Sequence, residues 1–180
     1  MNDTLLYPTL RDVCAVEQPK KYLEIGVRDG DSLRVVVEAA KPDLLVLCDT
    51  WGPHCGGTGR GSHQHINRML QELRYGGKVI YLDDDSHIMI PRLTINDFNL
   101  ILVDGDHSKE GCYKDMANSW VHLAPDGLMI VDDLTHPAHP GIREAVGDFC
   151  LEYDPGIRSV TWDKRKKHGV VTIRRKRGDE

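Results

Sequence analysis

The sequence predicts an α/β fold: a doubly wound, mostly parallel sheet of seven strands, helices on both faces, and an antiparallel C-terminal hairpin. Three observations carry this. Five apolar runs of strand length are each followed by a segment of helix length, the order of repeated βα units. Those runs lack the alternation of a sheet with one wet face, so both faces are buried, as in a parallel sheet covered by helices. The last two strand-like runs, "IRSVTW" and "GVVTIRR", are joined only by the short "DKRKKH", too short for a crossover helix.

In chain order, residues 3–16 read as a short helix that covers a sheet edge, within an N-terminal covering segment 1–18. "YLEIGV" (22–27) precedes the helical "DSLRVVVEAAK" (31–41), and "DLLVLCD" (43–49) precedes "HINRMLQELRYGG" (65–77). Between them lies "TWGPHCGGTGRGSHQ" (50–64), an irregular stretch with five glycines, long enough to suggest a functional or mobile loop. "KVIYL" (78–82) leads to "SHIMIPRL" (86–93), "LILVD" (100–104) to "KEGCYKDMANSWVHL" (109–123), and "GLMIVDD" (127–133) to "GIREAVGDFCLEY" (141–153). The 180 residues fit one domain, 1–180, with a basic tail at 175–180.

Hydrophobic residues make up 40% and charged residues 28%, enough for a packed soluble core. No apolar run approaches the ~20 residues of a membrane span, and "MNDTLLYPTL" lacks the pattern of a secretory signal. Five cysteines without a CxxC spacing suit a reducing, cytoplasmic setting with buried thiols. Net charge is −5 but uneven: from Lys164 onward there are eight Lys/Arg against two Asp/Glu, +6, which leaves −11 on the rest. The strand between the two basic clusters makes them a hairpin turn and a tail rather than a nucleic-acid surface.

In a doubly wound sheet, ligands bind beyond the carboxyl ends of the strands. The first strand exits as Glu24-Ile25-Gly26-Val27-Arg28-Asp29-Gly30-Asp31-Ser32. Glycines four apart let the backbone approach a ligand, and the following helix N-terminus offers free N–H groups to an anion. The dinucleotide fingerprint GxGxxG fails in both registers, which argues against a nicotinamide cofactor. Asp49 ends the second strand, 19 residues after Gly30, where a carboxylate can accept both hydroxyls of a ribose.

"EIGVRDGDSL" resembles the first motif of class I S-adenosylmethionine-dependent methyltransferases, in the form found in cation-dependent O-methyltransferases. "DDDSHIMIPRL" resembles the stretch that flanks adenine in that family, and "ILVDGDHSKEGCYKDM" and "HLAPDGLMIVDDL" resemble its fourth and fifth strands with their exits. The resemblance covers about residues 20–175 and implies a Rossmann-like fold and S-adenosylmethionine as cofactor. Glu24, Gly26 and Gly30 would form the loop around its methionine part, Ser32 would reach the carboxylate, and Asp49 would hold the ribose. Asp85 and Ser86 would lie near adenine.

The exits of the fourth and fifth strands bring Asp104, Asp132 and Asp133 toward one volume. Three clustered carboxylates repel unless a cation neutralises them, and an all-oxygen set suits Mg²⁺, Ca²⁺ or Mn²⁺. The resemblance implies the same: these aspartates match the metal ligands of cation-dependent O-methyltransferases, with Mg²⁺ the expected ion. Asp104 is assigned to both cofactor and metal. Asp104-x-x-His107 matches the D-x-x-H exit of the macrolide-sugar and rhamnosyl O-methyltransferases, in which the histidine is the proposed base. An imidazole titrates near neutrality and suits that role. Asp106 reads as a turn stiffener, and His136 and His139 as second-choice bases. His54, Cys55, His63 and His65 match no common zinc spacing. The loop 50–64 reads as a lid over cofactor and substrate.

The expected activity is methyl transfer to a hydroxyl of a small molecule of sugar or phenolic type, with a homo-oligomer as an open alternative to a single chain. Two competitors remain: a metal-dependent hydroxylase-like enzyme on the same fold, and a non-catalytic S-adenosylmethionine-binding module.

Overall fold

The computed structural model describes residues 5–52, 61–163 and 168–175. The elements are α1 (Leu6–Glu17), β1 (Lys21–Ile25), α2 (Asp31–Ala39), β2 (Leu44–Cys48), α3 (His63–Glu72) and β3 (Lys78–Leu82). After them come α4 (Ser86–Met89), a 3₁₀ turn (Ile90–Arg92), β4 (Phe98–Val103), α5 (Lys109–Trp120), β5 (Leu123–Val131), α6 (Gly141–Tyr153), β6 (Gly156–Asp163) and β7 (His168–Arg174).

The strands form one seven-stranded sheet in the order β3-β2-β1-β4-β5-β7-β6. The pairs β1–β2, β1–β4, β2–β3 and β4–β5 are parallel, whereas β7 is antiparallel to both β5 and β6. The order reverses between β1 and β4, which opens a crevice above the carboxyl ends of those strands. Because β7 runs against its neighbours, its first residues arrive at that same carboxyl end, beside the exit of β5.

Continuous apolar strands serve two cores. Tyr22, Leu45, Leu47, Leu100, Leu102, Leu128 and Ile130 face α1, α2 and α3 on one side of the sheet. Their alternates Leu23, Ile25, Val46, Cys48, Ile101, Val103, Met129 and Val131 face α5, α6 and the 3₁₀ turn on the other. Successive side chains point to opposite faces, so an unbroken apolar run is what a strand needs when both faces are covered. Helix α1 was expected at an edge. Instead Leu6, Leu10 and Cys14 are buried in the first core beside Tyr22, Leu100, Leu128 and Val170, so α1 lies on a face.

The two strands of the expected hairpin pair from Gly156↔Arg174 to Asp163↔His168. The basic residues 164–167 between them and the tail 176–180 lie outside the described residues, as do residues 53–60 of the glycine-rich loop. No described helix is long and apolar enough to cross a membrane.

Candidate functional site

A cavity of about 850 Å³ lies over the carboxyl ends of β1, β2, β4 and β5. Its walls are the β1–α2 loop, Asp49 to Gly52, Gly61, the loop before α4, the β4 and β5 exits, and His168. Leu6 and Tyr7 of α1 also reach it.

The β1 exit is shaped by its glycines. Gly26 has φ +85°, and a Cβ there would stand 2.0 Å from the Asp104 carbonyl oxygen. Only glycine lets the β1 and β4 exits approach this closely. Gly30, at φ +79°, precedes the first turn of α2. Asp49 holds the loop from the side: Oδ2 accepts from the N–H groups of Val27 (2.9 Å) and Arg28 (2.8 Å), and Oδ1 from that of Trp51 (2.8 Å). The residue expected to hold a ribose is therefore also the clamp of the glycine loop. A carboxylate has about four acceptor sites, so capacity remains for a ligand hydroxyl.

Glu24 is fully buried beneath this loop, and the Ser32 hydroxyl donates to its Oε1. Ser32 was expected to reach a ligand carboxylate, whereas its side chain is turned inward to Glu24. Burial pushes the Glu24 carboxyl up to about 8, against the lowering effect of the Ser32 bond. Its Oε2 is also buried, with the buried Tyr22 hydroxyl as its neighbour, and that contact too lowers the carboxyl.

In the loop before α4, expected to flank adenine, Asp85 caps α4 by accepting from the His87 N–H (2.8 Å). Ser86 donates to Asp115 Oδ1 at 2.5 Å. Asp115 is fully buried on α5 and also accepts the Asp106 N–H at 3.4 Å, while His87 Nε2 lies 3.3 Å from its Oδ1. It thereby ties the loop after β3 to the loop after β4. The Asp115 bond pulls the His87 imidazole up to about 9. Sequence reading missed Asp115, although it shares the buried helical face of Cys112, Met116 and Ser119, where a carboxylate needs partners.

The β4 and β5 exits form a cluster of acids and imidazoles. His107 Nε2 stands 3.5 Å from Asp104 Oδ1 and 3.2 Å from Asp133 Oδ2. His168 Nε2 stands 2.9 Å from Asp132 Oδ1 and 3.3 Å from Asp133 Oδ1. Burial pushes Asp104 up to about 6; His107 opposes this and the negative Asp132 adds to it. For Asp133 burial acts upward, but the bonds from His107 and His168 outweigh it and hold the carboxyl well below its ordinary range. Those partners draw His107 and His168 each up to about 10. The rings of His107 and His139 lie 4.4 Å apart, and those of His139 and His136 4.8 Å. Asp106 accepts the Ser108 N–H at 2.8 Å, a bond that stiffens the turn.

Among the described residues, two sets of metal-type ligand atoms lie within 4.8 Å of one another: Asp132, Asp133 and His168, and His107, Asp133 and His139. Asp132 and Asp133 are thus gathered as the sequence suggested, while Asp104 belongs to neither set. Asp132 Oδ1 is buried beside His168 Nε2 at 2.9 Å with no well-aligned hydrogen bond, and a cation would satisfy it. Nothing in the sequence pointed to His168, which stood inside a basic run. Of the rejected zinc ligands, His63 faces Asp83 (2.8 Å) and stacks on Tyr81, whereas His54 and Cys55 lie outside the described residues.

Comparison with known proteins agrees with this geometry. Similar solved structures include the O-methyltransferase TomG from Streptomyces achromogenes, involved in Tomaymycin synthesis and solved with SAM, with 18% identity over 94% of this chain and 79% of that one, TM-score 0.70. The O-methyltransferase NovP has 18% identity, covers 96% of this chain and 78% of its own, and has a TM-score of 0.71. The N-methyltransferase NodS from Bradyrhizobium japonicum WM9, solved with S-adenosyl-l-homocysteine, has 14% identity over 97% and 89% of the two chains, TM-score 0.66. These likenesses establish the fold. No curated protein sequence matches the chain. The family model described as Methyltransferase domain matches residues 23–134, from β1 through the β5 exit and most of the cavity wall, and the chain belongs to that family.

Proposed function

We propose that this chain transfers the methyl group of S-adenosylmethionine to a hydroxyl of a small molecule. The observation that carries this reading is the single cavity that joins the Gly26 loop and Asp49 to the imidazole and carboxylates of the β4 and β5 exits. The cofactor fits on the glycine side. The Gly26 approach leaves the backbone bare, the first N–H groups of α2 can meet a carboxylate, and Asp49 keeps acceptor sites for ribose. Asp85 and Ser86 stand where adenine would lie. An acceptor enters from the side of His107, His136 and His139.

His107 is the base. In the ligand-free cavity its two carboxylates keep it protonated at neutral pH. With S-adenosylmethionine bound, the positive charge of its sulfonium would disfavour the imidazolium, so that His107 could accept a proton from the hydroxyl as a neutral ring. As methyl passes in line from sulfur to oxygen, the oxygen would lose its proton to His107 Nδ1, because Nε2 faces Asp104 and Asp133, and the protein would contribute alignment. Asp132 and Asp133, with Asp104 opposite, are the residues for a divalent cation. The buried Asp132 Oδ1, beside His168 Nε2, fits one. When bound, such an ion orients a hydroxyl and lowers its pKa. The free thiols of Cys14, Cys48, Cys112 and Cys150 accord with a reducing, cytoplasmic setting.

The test is turnover of S-adenosylmethionine with hydroxylated acceptors, read by S-adenosylhomocysteine formation and product mass. Methylation adds one CH₂ to the acceptor, and hydroxylation adds one oxygen. Tight S-adenosylhomocysteine binding with no turnover would indicate a binding module instead. EDTA is expected to abolish turnover and a divalent ion to restore it. Full activity in EDTA removes the cation from the reading and leaves methyl transfer intact.

A further inference from the structure

We propose that His168 is a metal ligand, and that Asp132, Asp133 and His168 form a mixed oxygen–nitrogen site at the β5–β7 junction that takes a Mn²⁺-class ion in preference to Mg²⁺. This rests on the cation in the function proposed above and changes its ligand set: an imidazole from β7 stands where the resemblance put the Asp104 carboxylate.

Three observations support it. The ligand atoms of the three residues lie within 4.8 Å of one another, with Nε2 at 2.9 Å from Asp132 Oδ1 and 3.3 Å from Asp133 Oδ1. Neighbouring ligands of a six-coordinate ion, bound at about 2.1 Å, stand roughly 3 Å apart. Second, Asp132 is 7% exposed, and its Oδ1 is buried with no hydrogen bond although Nε2 is close. The separation is that of neighbouring ligands about a common ion. Third, the frame is held by backbone. The Leu134 N–H donates to the Gly169 carbonyl at 2.8 Å and the Asp132 N–H to the Val103 carbonyl at 3.2 Å. An imidazole among the ligands favours Mn²⁺, Fe²⁺, Co²⁺ or Zn²⁺ over Mg²⁺, which prefers oxygen alone.

The experiment is Mn²⁺ and Mg²⁺ titration of the full chain by calorimetry, with pulsed EPR of the Mn²⁺ complex, on wild type, H168Q, D104N and H107Q. Wild type is expected to bind one Mn²⁺ at least about tenfold more tightly than Mg²⁺ and to show coupling to an imidazole nitrogen. Loss of an outer-shell partner of a metal costs roughly 10–100-fold in affinity, so H168Q is expected to lose at least that and the nitrogen coupling with it. D104N and H107Q are expected to keep the coupling. Unchanged Mn²⁺ affinity in H168Q, absent nitrogen coupling, or coupling lost only in H107Q would overturn the assignment. So would a wild type that binds no Mn²⁺; S-adenosylhomocysteine binding in the same sample then shows that the methyl-transfer reading stands apart. Should H168Q not fold, ¹⁵N-histidine labelling of wild type reads Nε2 ligation directly.

Discussion

His107 and Glu24 are both perturbed, for opposite reasons. The imidazole is drawn up to about 10 by two carboxylates, and the carboxyl to about 8 by burial. His107→Ala is expected to lower kcat by about 10²–10⁴-fold while S-adenosylhomocysteine affinity changes little. In wild type, kcat/KM should rise with pH well past the ordinary imidazole range, since the free enzyme must lose the His107 proton. Steady-state profiles of both proteins check this, and a variant that keeps the alkaline limb assigns the base elsewhere. For Glu24 the folded pKa lies above the unfolded value of 4.5, so the folded state holds the extra proton between 4.5 and about 8. Stability falls as pH rises through that window. Glu24→Gln keeps an acceptor for Ser32 and removes the ionisation. It should match wild type at about pH 4 and unfold at higher temperature than wild type at about pH 9. Equal melting curves at both pH values would contradict a carboxyl held up by burial.

At the scale of elements, the site depends on how closely strand exits approach. A Cβ at Gly26 would meet the Asp104 carbonyl at 2.0 Å and sit at φ +85°. Gly26→Ala therefore combines a backbone conformation that costs about 1–3 kcal/mol with a steric displacement of the β4 exit. Thermal unfolding should show the loss of stability, and calorimetry a weakened S-adenosylhomocysteine affinity. A variant with wild-type affinity would show that the two exits can part without harm. Most of the elements were legible from apolar period: the helix expected at 141–153 is α6 (Gly141–Tyr153), and the strand expected at 78–82 is β3 (Lys78–Leu82). The position of α1 was not legible. Its buried residues Leu6, Leu10 and Cys14 show that one side is covered, but that pattern is the same whether the cover is an edge or a face. Asp49 was legible as an acid at a strand end. Its three backbone bonds were not, because they depend on the path of a loop whose Arg28 and Trp51 adopt positive φ.

Across the whole molecule, acid and imidazole pairs at the cavity set a pH window for stability. His107 and His168 both have folded values near 10 against an ordinary 6.5. Their stabilising contribution is complete below about 6.5 and disappears as pH rises through about 10. Asp133 acts in the other sense, contributing above its ordinary range and losing its contribution as pH falls. Denaturant unfolding of the ligand-free chain should therefore show stability declining from about pH 6 to about pH 10, and less so in a His107→Gln, His168→Gln double variant. A double variant with the same slope as wild type would assign the decline to other groups, Glu24 first among them.

The sequence alone determined the βα order, the two-sided burial, the glycine loop and the acids at the strand exits. Each of these depends on local period or on residue type at an element boundary. Which side chains share the cavity was decided by tertiary structure. Asp115 comes under the loop that carries Ser86 and His87 because α5 packs against β4 and the 3₁₀ turn. His168 comes to the carboxylates because β7 enters the sheet antiparallel, which delivers its first residue to the end of the sheet where β5 finishes. Strand direction is a property of pairing between segments far apart in the chain, so no local pattern around His168 could show it.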